Sequence, residues 1–124
     1  MYNASSPDEL ALVNAARHWG FKFLDRNEDN DMVFDMFGKE KKYRLLNVIE
    51  FNSDRKRMSV IVKTPNNKIL CLCKGADSII ETRLKKSEEA TKLFDKTLEH
   101  LESFAKEGLR TLLIASKELD IDWY

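Results

Sequence analysis

The amino-acid sequence predicts an α+β domain, an antiparallel sheet with helices packed on it. Two observations carry that prediction. Between residues 43 and 74, three apolar runs follow one another with only short polar turns between them, which is hairpin spacing. On either side stand stretches with helix-capping residues and apolar side chains three and four positions apart.

The first helix is announced by SSPDELALVNAARHWG. Ser6 stands at the N-cap, Pro7 at the first helical position, and Glu9 three residues after the cap, the spacing of a capping box. Leu10, Leu12, Val13, Ala16 and Trp19 give an apolar face, and Gly20 a C-terminal stop. FKFL then reads as a short strand, RNEDND as a polar loop, MVFDMF as a strand and GKEKK as a turn. YRLLNVIEF, KRMSVIVK and KILCLCK are the three successive strands, parted by the turns NSDR and TPNN, the last ending at Gly75. DSIIETRLKK reads as a short helix capped by Asp77 or Ser78. Residues 87–106 read as a longer helix whose stripe is Leu93, Phe94, Leu98, Leu101, Phe104 and Ala105, closed by Gly108. TLLIA is a last buried strand, with Arg110 at its start.

A chain of 124 residues is one domain of ordinary size. Its 21 basic and 21 acidic residues balance, so no net field draws it onto nucleic acid or an anionic membrane. No apolar run approaches the roughly 18 residues that span a bilayer. Met1-Tyr2-Asn3-Ala4 leads straight into a helix signal, so no secretory leader is expected. The expectation is a soluble chain, or a soluble piece of something larger. Cys71 and Cys73 are two apart on a strand, share a face and do not bridge easily. His18 and His100 have no zinc-ligand spacing to them. Free, buried thiols in a reducing compartment are expected.

The hairpins bring distant residues together. If the first of the three strands ends at Phe51 and the third at Lys74, both lie at one end of the sheet, about two strand spacings or roughly 10 Å apart. An aromatic and a cation so placed suit a nucleotide: a base stacks on the ring and the ammonium faces the anionic side. A core phenylalanine and a solvated lysine fit the same spacing. Arg55, Lys56 and Arg57 in the intervening turn either tilt the local potential toward phosphate or are simply solvated.

SPDELALV, EFNSDRKRMSVIV, KGAD and EGLRTLLIA stand in this order along the chain. Together they resemble the nucleotide-binding domain of P-type ATPases, above all the phospholipid flippase (type-four) subfamily. SPDE, KGAD and RKRMSV carry the flippase flavour. The resemblance covers about residues 5–119 and implies a twisted antiparallel β-sheet flanked by helices, a single cytosolic domain over residues 1–124 of a larger membrane ATPase. Glu9 resembles the acid that bonds the adenine amino group, and Phe51 the aromatic that stacks on adenine. Lys74 resembles the pocket lysine of the KGA motif, with Gly75 beside it letting ligand and backbone approach closely. Arg110 resembles the arginine that reaches the phosphates. Asn52 and Ser53 follow the aromatic; at Ser53 cation pumps often carry an arginine. Asp95-Lys96-Thr97 matches the start of the family's phosphorylated-aspartate motif DKTGT, but Leu98 and Glu99 follow, and Asp95 reads as a helix-surface acid.

The resemblance implies ATP as ligand, with Mg2+ held mostly by residues elsewhere. The phosphoryl acceptor, the metal site and the membrane path are missing from this sequence, so the chain is expected to bind ATP weakly without hydrolysing it. Implied partners are the other cytosolic domains of the parent pump and an accessory subunit of it, with no nucleic acid and no direct membrane contact. Two other readings stay open at this point. One is the same domain from a cation- or polyamine-transporting pump. The other is a small protein- or RNA-interaction domain using the basic turn, for which zero net charge and the pair Tyr43 and Phe51 make a thin case.

Overall fold

The computed structural model describes residues 7–120 and residue 122. In chain order it holds α1 (Pro7–His18), β1 (Phe21–Arg26), β2 (Asp31–Met36), β3 (Lys39–Ile49), β4 (Arg57–Lys63), β5 (Ile69–Gly75), α2 (Asp77–Glu81), α3 (Glu88–Lys106) and β6 (Leu113–Leu119). The strands form one antiparallel sheet in sequence order, β1-β2-β3-β4-β5-β6. Every connection therefore joins neighbours: short turns link β1 to β5 in sequence, and α2 and α3 lie between β5 and β6.

Contacts group the chain into two compact units. The first comprises Met1–Asn47, Ile61–Leu70 and Leu119–Tyr124. Here α1 packs on β1. Leu12, Val13, Ala15 and Ala16 form its half-buried face, while Leu10 and Trp19 are exposed, against the expectation for both. The expected N-cap Ser6 lies outside the described residues. Gly20 does end the helix: its φ of 101° is left-handed, and a Cβ there would meet the Phe37 ring at 2.6 Å. The hairpin of β1 and β2 pairs Phe23 with Phe34. Their rings meet edge to face at 5.6 Å, and Phe34 meets Tyr43 of β3 likewise at 5.8 Å. The RNEDND loop closes on Asn27, whose Oδ1 accepts the amides of Asp29 and Asp31. Val62 and Ile69 are the buried centre of this unit.

The second unit comprises Val48–Val60 and Cys71–Glu118. Ile80 and Leu113 are its buried hydrophobic residues. Ser87 caps α3, its hydroxyl accepting the Ala90 amide at 3.1 Å. The half-buried stripe of α3 is Ala90, Phe94, Leu98 and Leu101. Leu93, Phe104 and Ala105, expected in that stripe, are exposed instead. Asp95 is an exposed acid of this helix, as read from the sequence.

Some boundaries differ from the sequence reading. Lys39 to Lys42 continue β3, so the expected GKEKK turn shrinks to Phe37 and Gly38, both left-handed. The N-cap of α2 is Ala76, with no side-chain bond, and the helix lasts five residues. The final strand starts at Leu113 and runs past TLLIA to Leu119. No helix among the described residues is long and apolar enough to cross a membrane.

Candidate functional site

Six of the seven residues singled out from the sequence lie in the second unit. Five of these, all but Arg110, sit in the turn between β3 and β4 or at the C-terminal end of β5. Strand β3 ends at Ile49, so Phe51 is not a strand residue but stands two positions into the turn, 62% exposed. The reading of a core phenylalanine is thereby excluded. Asn52 organises the backbone around it. Its Oδ1 accepts the amides of Asp54 at 3.0 Å and Arg55 at 2.7 Å, and its carbonyl accepts the Lys56 amide at 2.8 Å. This is the local side-chain bonding for which asparagine is suited. Ser53 is exposed.

Arg55 closes the turn from the other side. Its Nη1 donates to the carbonyls of Ile49 at 3.2 Å, Glu50 at 3.0 Å and Arg57 at 2.9 Å, and its Nη2 to the Ser59 hydroxyl at 3.3 Å. Ser59 is 5% exposed, and this bond satisfies it. Arg57 in turn donates to the Arg55 carbonyl at 2.9 Å. Lys56 is left-handed, φ 55°, an uncommon state for a lysine.

Lys74 and Gly75 end β5. Gly75 is buried, and a Cβ added to it would lie 2.8 Å from the Lys56 carbonyl oxygen and 2.8 Å from the Arg57 Cβ. The sequence reading reserved that space for ligand; the protein's own turn fills it. The turn that carries Phe51 and the strand end that carries Lys74 therefore meet, and the missing side chain of Gly75 is what lets them. Lys74 is half-buried and, by strand alternation, faces away from Cys71 and Cys73.

Those cysteines are free and half-buried rather than fully buried. They line a cavity of about 660 Å³ together with Ser59, Ile80, Leu84 and Ala115, edged by Arg55, Arg57, Arg83, Lys85 and Lys117. Its lining holds no carboxylate and none of the seven singled-out residues. Arg110 lies between α3 and β6, exposed, three residues before the strand it was expected to start. Glu9 belongs to the first unit, half-buried in the first turn of α1 beside Asp8, where a carboxylate meets the positive end of the helix. The partner that sequence reasoning missed is Arg55. It looked like one member of a charge run, and only the hydrogen bonds separate it from Lys56 and Arg57.

The described residues include no group of three or more His, Cys, Asp or Glu able to hold a metal ion. An α+β sheet whose rim carries an open aromatic and a lysine is suited to holding a planar, anionic ligand. Comparison with known proteins narrows this further. Residues 3–124 match the family described as P-type ATPase, cytoplasmic domain N, and the chain belongs to that family. It is 52% identical over its full length to the phospholipid-transporting ATPase dnf2 of Schizosaccharomyces pombe, of which it spans 9%. It is 50% identical over its full length to the phospholipid-transporting ATPase DNF1 of Chaetomium thermophilum, spanning 8% of it. Over 99% of the chain it is 49% identical to the human phospholipid-transporting ATPase ID, spanning 10% of that protein. The chain thus spans about a tenth of the length of these relatives.

Proposed function

We propose that this domain binds ATP for a phospholipid-transporting P-type ATPase, stacking adenine on Phe51 beside Lys74. The observation that carries the reading is Phe51 itself: an aromatic ring left 62% exposed on a turn held rigid by side-chain hydrogen bonds. A ring so held and so open can take a stacked base on its face. The lysine at the adjoining strand end supplies a cation toward the sugar and phosphates. Asn52 and Gly75 shape the turn, Ser53 lines its open side, and Glu9 and Arg110 take the roles of adenine acceptor and phosphate contact. Membership of the N-domain family and relatives at about half identity, all phospholipid-transporting ATPases, favour this reading over cation or polyamine transport.

ATP supplies the phosphoryl group, and this chain's part is to bind and orient the nucleotide. Positioning and metal electrostatics dominate phosphoryl transfer. Mg2+ would arrive with the nucleotide, its protein ligands mostly outside this chain; the described residues include no group of three or more His, Cys, Asp or Glu able to hold a metal ion. The acceptor aspartate likewise lies in another domain, since Asp95 is on a helix surface. The domain alone therefore binds ATP, weakly, without turnover. In the parent pump it works on the cytosolic side and docks against the other cytosolic domains, whose closure brings the γ-phosphate to that aspartate and drives phospholipid translocation.

The test is a titration of the ¹⁵N-labelled domain with ATP, with GTP as control, following amide shifts. ATP is expected to move the amides around Glu9, Phe51, Lys74 and Arg110, and GTP to move them less. Saturating ATP without shifts there would overturn the site.

A further inference from the structure

We infer that Arg55 is a positioning residue for the adenine platform, acting by clamping the β3–β4 turn, and is not a phosphate contact. This rests on the nucleotide reading above. In the sequence Arg55 belongs to a basic run that would favour phosphate. In the structure its guanidinium is already engaged. Nη1 faces three main-chain carbonyls and Nη2 the buried Ser59 hydroxyl. No carboxylate among the described residues pairs with it. Its charge is balanced by converging carbonyl dipoles, a task for which the planar guanidinium fork is suited and the point charge of lysine is not.

The bonds bracket one residue. On the N-terminal side of Phe51, the Ile49 and Glu50 carbonyls are tied to Arg55. On its C-terminal side, the amides of Asp54 and Arg55 are tied to Asn52. Arg57 and Ser59 anchor the same guanidinium to the start of β4. Gly75 is the opposing surface, since the Lys56 carbonyl and Arg57 rest against it with no room for a Cβ. Phe51 is thus held on a loop fixed from both sides, while its own ring stays open. A pre-set ring spares the nucleotide the cost of ordering it, which is where such a clamp adds affinity.

The experiment compares adenosine and ATP binding to the wild-type chain, Arg55→Lys, Arg55→Met, Phe51→Ala and the double variant Phe51→Ala with Arg55→Lys. Adenosine carries the base without phosphates. A clamp acting through the ring weakens both ligands by the same factor, about fivefold or more, and adds nothing once Phe51 is gone. Amide exchange is read in parallel without ligand: the Lys56 amide, bonded to Asn52, loses protection in Arg55→Lys while α3 keeps its own. Loss confined to ATP, with adenosine unchanged, would make Arg55 a phosphate contact and overturn the inference. So would unchanged Lys56 exchange. If Arg55→Met does not fold, Arg55→Lys carries the comparison, because it keeps the charge and removes only the fork. If the wild-type chain binds neither ligand, the nucleotide reading fails, and with it the role of Arg55 in positioning; the exchange measurement then separately decides whether the turn is clamped.

Discussion

Two hairpin turns of this domain do the same job by different means. The turn after β4 is closed by local bonds. Thr64 and Lys68 bond through the Thr64 amide at 2.8 Å, the Thr64 hydroxyl accepts the Lys68 amide at 3.1 Å, and the left-handed position falls on Asn67, φ 63°. Asparagine tolerates that conformation well. The turn before β4 places a lysine, Lys56, in the same conformation at φ 55°. It needs an arginine across four oxygens and a glycine on the facing strand to hold it. Strain that the surroundings over-determine gathers where geometry matters for function. The plain turn carries no singled-out residue; the held one carries Phe51.

The comparison breaks most directly at Gly75. Gly75→Ala forces a Cβ against main-chain and Cβ atoms at 2.8 Å that cannot swing away. The expected loss is about 1–3 kcal/mol, as for other overpacked sites, with a fall in Tm of several degrees and weaker ATP binding because the turn must move. Unchanged thermal unfolding would mean that the contact is slack.

Next come the two left-handed positions. Lys56→Gly removes a side-chain penalty of roughly 1–2 kcal/mol, offset in part by glycine's chain entropy, so a gain of about 0.5–1 kcal/mol is expected. Asn67→Gly should change stability by less than about 0.5 kcal/mol. Urea midpoints at constant slope read both. Equal effects at the two sites would erase the distinction between the turns.

The smallest effect lies in the first unit, away from both turns. Asp31 and Arg44 are cross-strand partners, with Nε donating to Oδ1 at 3.0 Å. That hydrogen bond, aided by the charge of Arg44, holds the Asp31 carboxyl below its ordinary value. A depressed carboxylate stabilises the fold above the unfolded-state pKa of about 3.9, and the contribution fades as pH falls through the lower folded value. The stability difference between wild type and Asp31→Asn should therefore be present at neutral pH, small and salt-sensitive, and vanish in acid. ATP affinity should not change with it.

Much of this architecture was legible because local signals agreed with the fold. Gly20 ended a helix and TPNN made a turn because those residues act on their own backbone. The four spaced motifs led to the right family as well. What was not legible depended on contacts across strands. Periodicity put Phe51 at the end of a strand, yet Arg55 draws the Ile49 and Glu50 carbonyls into the turn, and β3 stops sooner. Gly75 looked like room for a ligand, and its neighbour proved to be the chain itself. Leu93 and Phe104 counted toward an apolar stripe that the helix does not bury.

The central claim is that the held turn exists to present Phe51 to a base. The most direct measurement is the calorimetric ATP affinity of wild type and Phe51→Ala, with thermal unfolding of both. Stacking on an aromatic is worth about 1–3 kcal/mol per base, so the account predicts an ATP Kd raised roughly tenfold with Tm nearly unchanged, since the ring is exposed. Wild-type affinity in Phe51→Ala would contradict it.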